Sequence, residues 1–117
     1  MKLLSNLCAF SLCSLLSCSV FAEKIWIDVR TVDEVAVDRI AGDANVPLAE
    51  LSPAKFADQY GKEAELMLYC RSGNRAGQAE ALLEAAGFTN VTNAGSVDDA
   101  RALRGLQKSA QRSNPAP

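Results

Sequence analysis

Short apolar runs alternate with amphipathic stretches along this chain, and each run closes at a polar or charged group. Lys24-Ile25-Trp26-Ile27-Asp28-Val29-Arg30 is β-branched and aromatic, which predicts a buried strand ending at polar residues. Thr31 and Glu34 stand at capping-box spacing and predict a short helix from Val32 to about Val37. Residues 38–44 read as a loop, followed by a short strand around Asn45-Val46-Pro47-Leu48. Ser52 then Pro53 is an N-cap followed by a proline suited to the first helical position. That helix should reach about Tyr60 and stop at Gly61, burying Leu51, Phe56 and Tyr60.

The second half repeats the alternation. Leu66-Met67-Leu68-Tyr69 is the most continuous apolar run, the signature of a strand at the centre of a parallel sheet. A helix-forming stretch, Ala76-Gly77-Gln78-Ala79-Glu80-Ala81-Leu82-Leu83, should end at Gly87. Phe88-Thr89-Asn90-Val91-Thr92-Asn93 predicts another strand. Ser96, with Asp98 and Asp99 in the first turn, opens a last helix whose Val97, Ala100, Leu103 and Leu106 recur at helical spacing. Strands alternating with helices predict an α/β three-layer sandwich with a mainly parallel central sheet. Its ligand should sit beyond the carboxyl ends of the strands, where Asp28, Arg30 and the residue after Tyr69 fall.

The two ends of the chain lack this pattern. Leu3 to Phe21 is apolar and small, interrupted by Ser5, Asn6, Ser11, Ser14, Ser17 and Ser19, and Val20-Phe21-Ala22 precedes the charged Glu23-Lys24. Residues 1–22 therefore read as a cleaved signal peptide, with export to the periplasm or beyond. An anchor would need ~20 strongly apolar residues, so no stable membrane insertion is expected after cleavage. Leu15-Leu16-Ser17-Cys18 loosely matches a lipoprotein box, which leaves a lipid anchor on Cys18 as the minor alternative. Residues 23–107 form one domain, and 108–117 read as a flexible tail.

Composition narrows the chemistry. Without the leader the formal charge goes from −2 to −3, and no Lys/Arg run occurs, so nucleic acid is not an expected partner. Three of the four cysteines (Cys8, Cys13 and Cys18) lie in the leader, leaving Cys70 without an internal disulfide partner. The chain has no histidine, which excludes a Cys-His hydrolase and histidine-ligated zinc. No metal or cofactor is called for.

Cys70 opens the loop Cys70-Arg71-Ser72-Gly73-Asn74-Arg75, between the central strand and a helix. Backbone N–H groups there, at the positive end of a helix dipole, suit an anion, and the thiolate is the nucleophilic form of a cysteine. With these residues in view, the chain resembles the rhodanese-like domains, and most of all the small, single-domain, exported sulfurtransferases of that family. Ile27-Asp28-Val29-Arg30 with Glu34 matches the family's first strand and turn. Ile40-Ala41-Gly42-Asp43-Ala44-Asn45-Val46-Pro47-Leu48 matches its Asn-apolar-Pro-apolar segment. Tyr69 through Ala76 matches the active loop, and is the specific match. Two places depart from the pattern: Arg39 stands where the family often has His, and Gly95-Ser96 with Ala100 where it often has paired glycines and a Trp.

The resemblance implies sulfane-sulfur transfer through a Cys70 persulfide by a ping-pong route, from a thiosulfate-like donor to cyanide or a thiol, by a protein favoured as a monomer. Backbone N–H groups of Arg71 through Ala76 would hold the sulfur anion, with Gly73 allowing the curl. Arg71 should face the donor's sulfonate and Ser72 could bond the persulfide. Arg75 should anchor the loop, with Asp28 as its candidate partner. Arg30 is either a second anion contact or a partner for Glu34, and Asn74 reads as a helix cap. The competing readings are a binding or sulfur-carrying module for a protein partner, and a phosphatase-like oxyanion enzyme. The phosphatase reading requires a longer loop between cysteine and arginine than the one from Cys70 to Arg75.

Overall fold

The computed structural model describes residues 23–107. The expected leader, Cys18 and the 108–117 tail lie outside the described residues. Four parallel strands, β1 (Ile25–Asp28), β2 (Ala44–Asn45), β3 (Leu66–Cys70) and β4 (Val91–Ser96), form one sheet in the order β2-β1-β3-β4. Helices α1 (Val32–Val37), α2 (Pro53–Tyr60), α3 (Asn74–Ala85) and α4 (Val97–Leu103) connect or follow them. The sheet is the expected parallel one, with β3 buried at every position.

Alternation along β3 divides the core in two. Leu66, Leu68 and Cys70 pack with Phe56 of α2 and with Ala76, Ala79 and Leu83 of α3. Met67 and Tyr69 face the other way, toward Ile40, Ala94 and the α4 residues Val97 and Ala100. Each fully buried leucine contributes about 2 kcal/mol by leaving water. The chain leaves β1 for β2 on one side and reaches β3 on the other, so the strand order reverses between β1 and β3. Such a reversal opens a crevice at the carboxyl edge, and Asp28 and Cys70 end the two strands that flank it.

Local signals set most boundaries. The Thr31–Glu34 capping box is formed in full, and the Ser52 hydroxyl accepts from the Lys55 N–H ahead of a helix with Pro53 in its first turn. β2 is shorter than the sequence suggests. Pro47, which lacks an N–H, interrupts the ladder, and Leu48–Glu50 forms a single 3-10 turn instead.

Two expectations need correction. Phe88 belongs to the end of α3 rather than to a strand: its N–H reaches the Leu83 carbonyl while the Gly87 N–H reaches Glu84. This is a Schellman closure, with Phe88 folded back into the core, so β4 starts only at Val91. In α4 the inward face is Val97, Ala100 and Arg101, whereas Leu103 and Leu106 are exposed. The helix ends at Leu103, and Arg101 is drawn inward by Asp38, which its guanidinium contacts at 2.6 Å.

Candidate active site

Cys70 ends the central strand, and the loop Arg71–Gly73 leads directly into α3. The sequence folds this way because a buried apolar strand cannot continue into Arg71-Ser72-Gly73, while residues from Asn74 onward favour a helix. Gly73 takes a left-handed conformation, φ 96°, as the N-cap of α3. A side chain there would be strained, and a Cβ would stand 3.3 Å from the Gly95 backbone. In that conformation the Gly73 N–H donates to Cys70 Sγ at 3.0 Å. The thiol thus lies at the amino end of a three-turn helix, only 1 % exposed as a residue.

The arginines are distributed differently from the expectation. Arg75 pairs in a two-pronged fashion with Glu34 of α1, at 2.7 and 2.9 Å, and not with Asp28. Asp28 is taken by Arg30, whose Nε and Nη2 reach the carboxylate at 2.9 and 2.6 Å. Arg30 is accordingly neither a partner of Glu34 nor an unencumbered anion contact. The reason is local. Asp28 and Arg30 lie two residues apart in one turn, where the Asp28 carboxylate also accepts the Arg30 backbone N–H. That leaves Arg75, on the first turn of α3, to meet α1. Arg75 N–H groups, then the Thr31 backbone N–H, hold the Glu34 carboxyl down at about 2. Burial pulls the Arg30 guanidinium down, but its bonds to Asp28 more than offset this and leave it raised.

The remaining loop residues fall as follows. Arg71 is exposed and has no hydrogen bond or ion pair to any described residue. It lines an open groove of about 490 Å³ together with Arg30, Glu34, Val37, Asp38 and Val97. Ser72 and Asn74 are exposed. Asn74 is not the cap, since Gly73 holds that position without side-chain help. Ala76 is fully buried in the core. Asn45, which the sequence places only within the Asn-apolar-Pro-apolar segment, donates from Nδ2 to both the Asp28 and Arg30 carbonyls at 2.9 Å and fixes the turn that carries them.

A family model for the rhodanese-like domain matches residues 17–98. The chain belongs to the rhodanese-like family. Among curated proteins of the family, thiosulfate sulfurtransferase PspE of Escherichia coli (strain K12) is 34% identical over 58 residues. That match spans 50% of this chain and 56% of PspE, so the chain spans little more than half the length of that relative. A solved structure described as rhodanese with anions from E. coli superposes with a TM-score of 0.60 at 33% identity, covering 66% of this chain and 91% of that one. An uncharacterized protein from Saccharomyces cerevisiae superposes with a TM-score of 0.52 at 30% identity, over 70% of this chain and 78% of that one. Among the described residues of this rhodanese-like domain, no helix is long and apolar enough to cross a membrane.

Proposed function

We propose that this protein is a sulfurtransferase that carries sulfane sulfur as a Cys70 persulfide. The observation that carries the reading is the Gly73 N–H 3.0 Å from Cys70 Sγ, in a loop whose Arg71 has no partner among the described residues. The thiolate attacks the outer sulfur of thiosulfate, forming a Cys70 S–S bond as the donor's S–S bond breaks. Sulfite leaves with the electron pair of the broken bond. An acceptor, cyanide or a thiolate, then takes the outer sulfur, giving thiocyanate or a persulfide and restoring Cys70. Sulfite departs already anionic, so no acid is needed, which suits a chain without histidine.

Electrostatics supplies the rate. Preorganised N–H donors aimed at developing negative charge lower barriers by a few kcal/mol each in a dry site. Arg71 is the residue assigned to the donor's sulfonate, while Arg75 holds the loop to α1 through Glu34. This engagement of Arg75 also disfavours the phosphatase-like reading, which needs that guanidinium free for an oxyanion. The near-complete burial of Cys70 favours a small sulfur donor over a bulky ester. Export through residues 1–22 remains part of the proposal.

Incubation with thiosulfate followed by intact-mass measurement tests the reading. The protein should gain one sulfur atom, Cys70→Ser should gain none, and cyanide should release the sulfur as thiocyanate. A wild-type protein with no adduct and no thiocyanate refutes it.

A further inference from the structure

Asn93 lies on β4, exposed and remote in sequence from the loop, yet its amide is the side chain that ties the two together. Its Nδ2 donates to the Gly73 carbonyl at 2.9 Å, and its Oδ1 accepts the Gly95 N–H at 2.9 Å. The two bonds fix which end of the amide faces the loop. The strand is built to deliver it. Leu68 pairs with Asn93 but Tyr69 pairs with Gly95, so Ala94 is an extra residue in β4. This is a β-bulge, a device that re-aims side chains, and Asn93 closes it.

The opposing surface is cut to fit. A Cβ on Gly77 would stand 3.3 Å from Asn93 Nδ2, and one on Gly73 would stand 3.7 Å from Oδ1. Gly77 lies inside α3, where glycine is less favourable than alanine, and the seat for the Asn93 amide gives a physical reason for it. The Gly73 carbonyl also accepts the Gly77 N–H at 3.0 Å, so it is held from two directions.

We propose that Asn93 is a positioning residue for Cys70, acting through the Gly73 peptide. Holding the Gly73 carbonyl fixes the rotation of the peptide that follows, and with it the direction of the Asn74 N–H. It also fixes the left-handed Gly73 whose own N–H meets the sulfur. A hydrogen bond accepted by a peptide carbonyl polarises the N–H of the same peptide, so the Asn74 N–H becomes a stronger donor. Asn93 touches neither donor nor acceptor. It should therefore govern how well the loop supports negative charge on sulfur, and leave donor binding at Arg71 intact.

The inference deepens the sulfurtransferase reading and rests on it for its catalytic consequence, so the test has one arm that needs no turnover. Alkylation of Cys70 by neutral iodoacetamide reports thiolate reactivity whatever the natural reaction is. Asn93→Ala removes both bonds. Asn93→Asp keeps an acceptor for the Gly95 N–H but has no N–H for Gly73. Both variants should alkylate about five- to tenfold more slowly, the loss expected when one hydrogen bond of ordinary net strength is withdrawn from the loop that supports the sulfur. Their melting temperatures should stay within a few degrees of wild type, because the site is exposed and leaves no cavity. In thiosulfate:cyanide turnover, kcat should fall by a similar factor, with KM for thiosulfate within about twofold. Wild-type alkylation rates in either variant, or a rise in KM with unchanged kcat, would overturn the proposal. A wild-type protein that makes no persulfide while the variants still alkylate slowly would defeat the sulfurtransferase reading and leave the positioning role standing.

Discussion

Arg71 and Arg75 sit in one loop, yet the structure gives them opposite circumstances. Arg75 is spent on Glu34, whereas Arg71 faces a groove without a partner among the described residues. Arg71→Ala should therefore weaken thiosulfate use about tenfold or more, with the loss mainly in KM. Persulfide formation from a neutral polysulfide should change far less, and steady-state kinetics with the two donors would check this. The Glu34–Arg75 pair makes a prediction about acid. Unfolded, Glu34 titrates near 4.5; folded, it is held at about 2. A depressed carboxyl stabilises the fold fully above its unfolded value, and that contribution is lost as pH falls through about 2. Both side chains are about a quarter to a third exposed, so solvent screening limits the contribution to about 1 kcal/mol. Urea unfolding at pH 6 and pH 2.5 should show a smaller acid loss in Glu34→Gln than in wild type.

At the scale of elements, the active loop depends on how α3 begins and how β4 bends. Gly73→Ala places a Cβ on a residue with φ 96° and against the Gly95 backbone. It should cost about 1–3 kcal/mol of stability and slow Cys70 alkylation strongly, since the strained residue also carries the N–H that meets the sulfur. Chemical denaturation and alkylation rates would measure the two losses. Element identity and most caps were legible in the sequence. Thr31 with Glu34, Ser52 with Pro53, and Ser96 with Asp99 act through residues close in the chain, and capping chemistry is local. The bulge in β4 was not legible. It is defined by pairing with β3, and within the strand only Asn93 two residues before Gly95 hinted at a side-chain-closed turn.

Across the whole molecule, Tyr69 joins layers that the loop itself does not reach. Its hydroxyl donates to Asp43 at 2.7 Å, Asp43 is gripped twice by Arg104, and the Arg104 guanidinium lies 4.2 Å over the Trp26 ring. This closes the second core with a residue beyond the end of α4. Burial first, and then the bond to Asp43, raise the Tyr69 phenol well above its ordinary value of 10. A raised group contributes stability that is complete below its unfolded value and declines as pH climbs past it. Wild type should therefore lose stability above about pH 10 more steeply than Tyr69→Phe, which should itself be about 1–2 kcal/mol less stable near neutral pH. Urea titrations at pH 8 and pH 10.5 would separate the two effects.

The sequence by itself determined the order of strands and helices, the parallel α/β class and the place of Cys70 at the end of the central strand. Apolar periodicity, caps and breakers decide these things within a few residues. Tertiary structure decided which charges meet. The sequence suggested Asp28 for Arg75 and Glu34 for Arg30, whereas in the fold Arg75 meets Glu34 and Arg30 meets Asp28. The choice depended on the approach of α1 to α3, across 41 positions of sequence. The same holds for Asn93, an exposed polar residue in a strand until β4 bulges beside β3 and sets its amide against the Gly73 carbonyl. Side chains of one kind are interchangeable along a chain, and only the packed elements bring a particular one within hydrogen-bonding distance of the sulfur's loop.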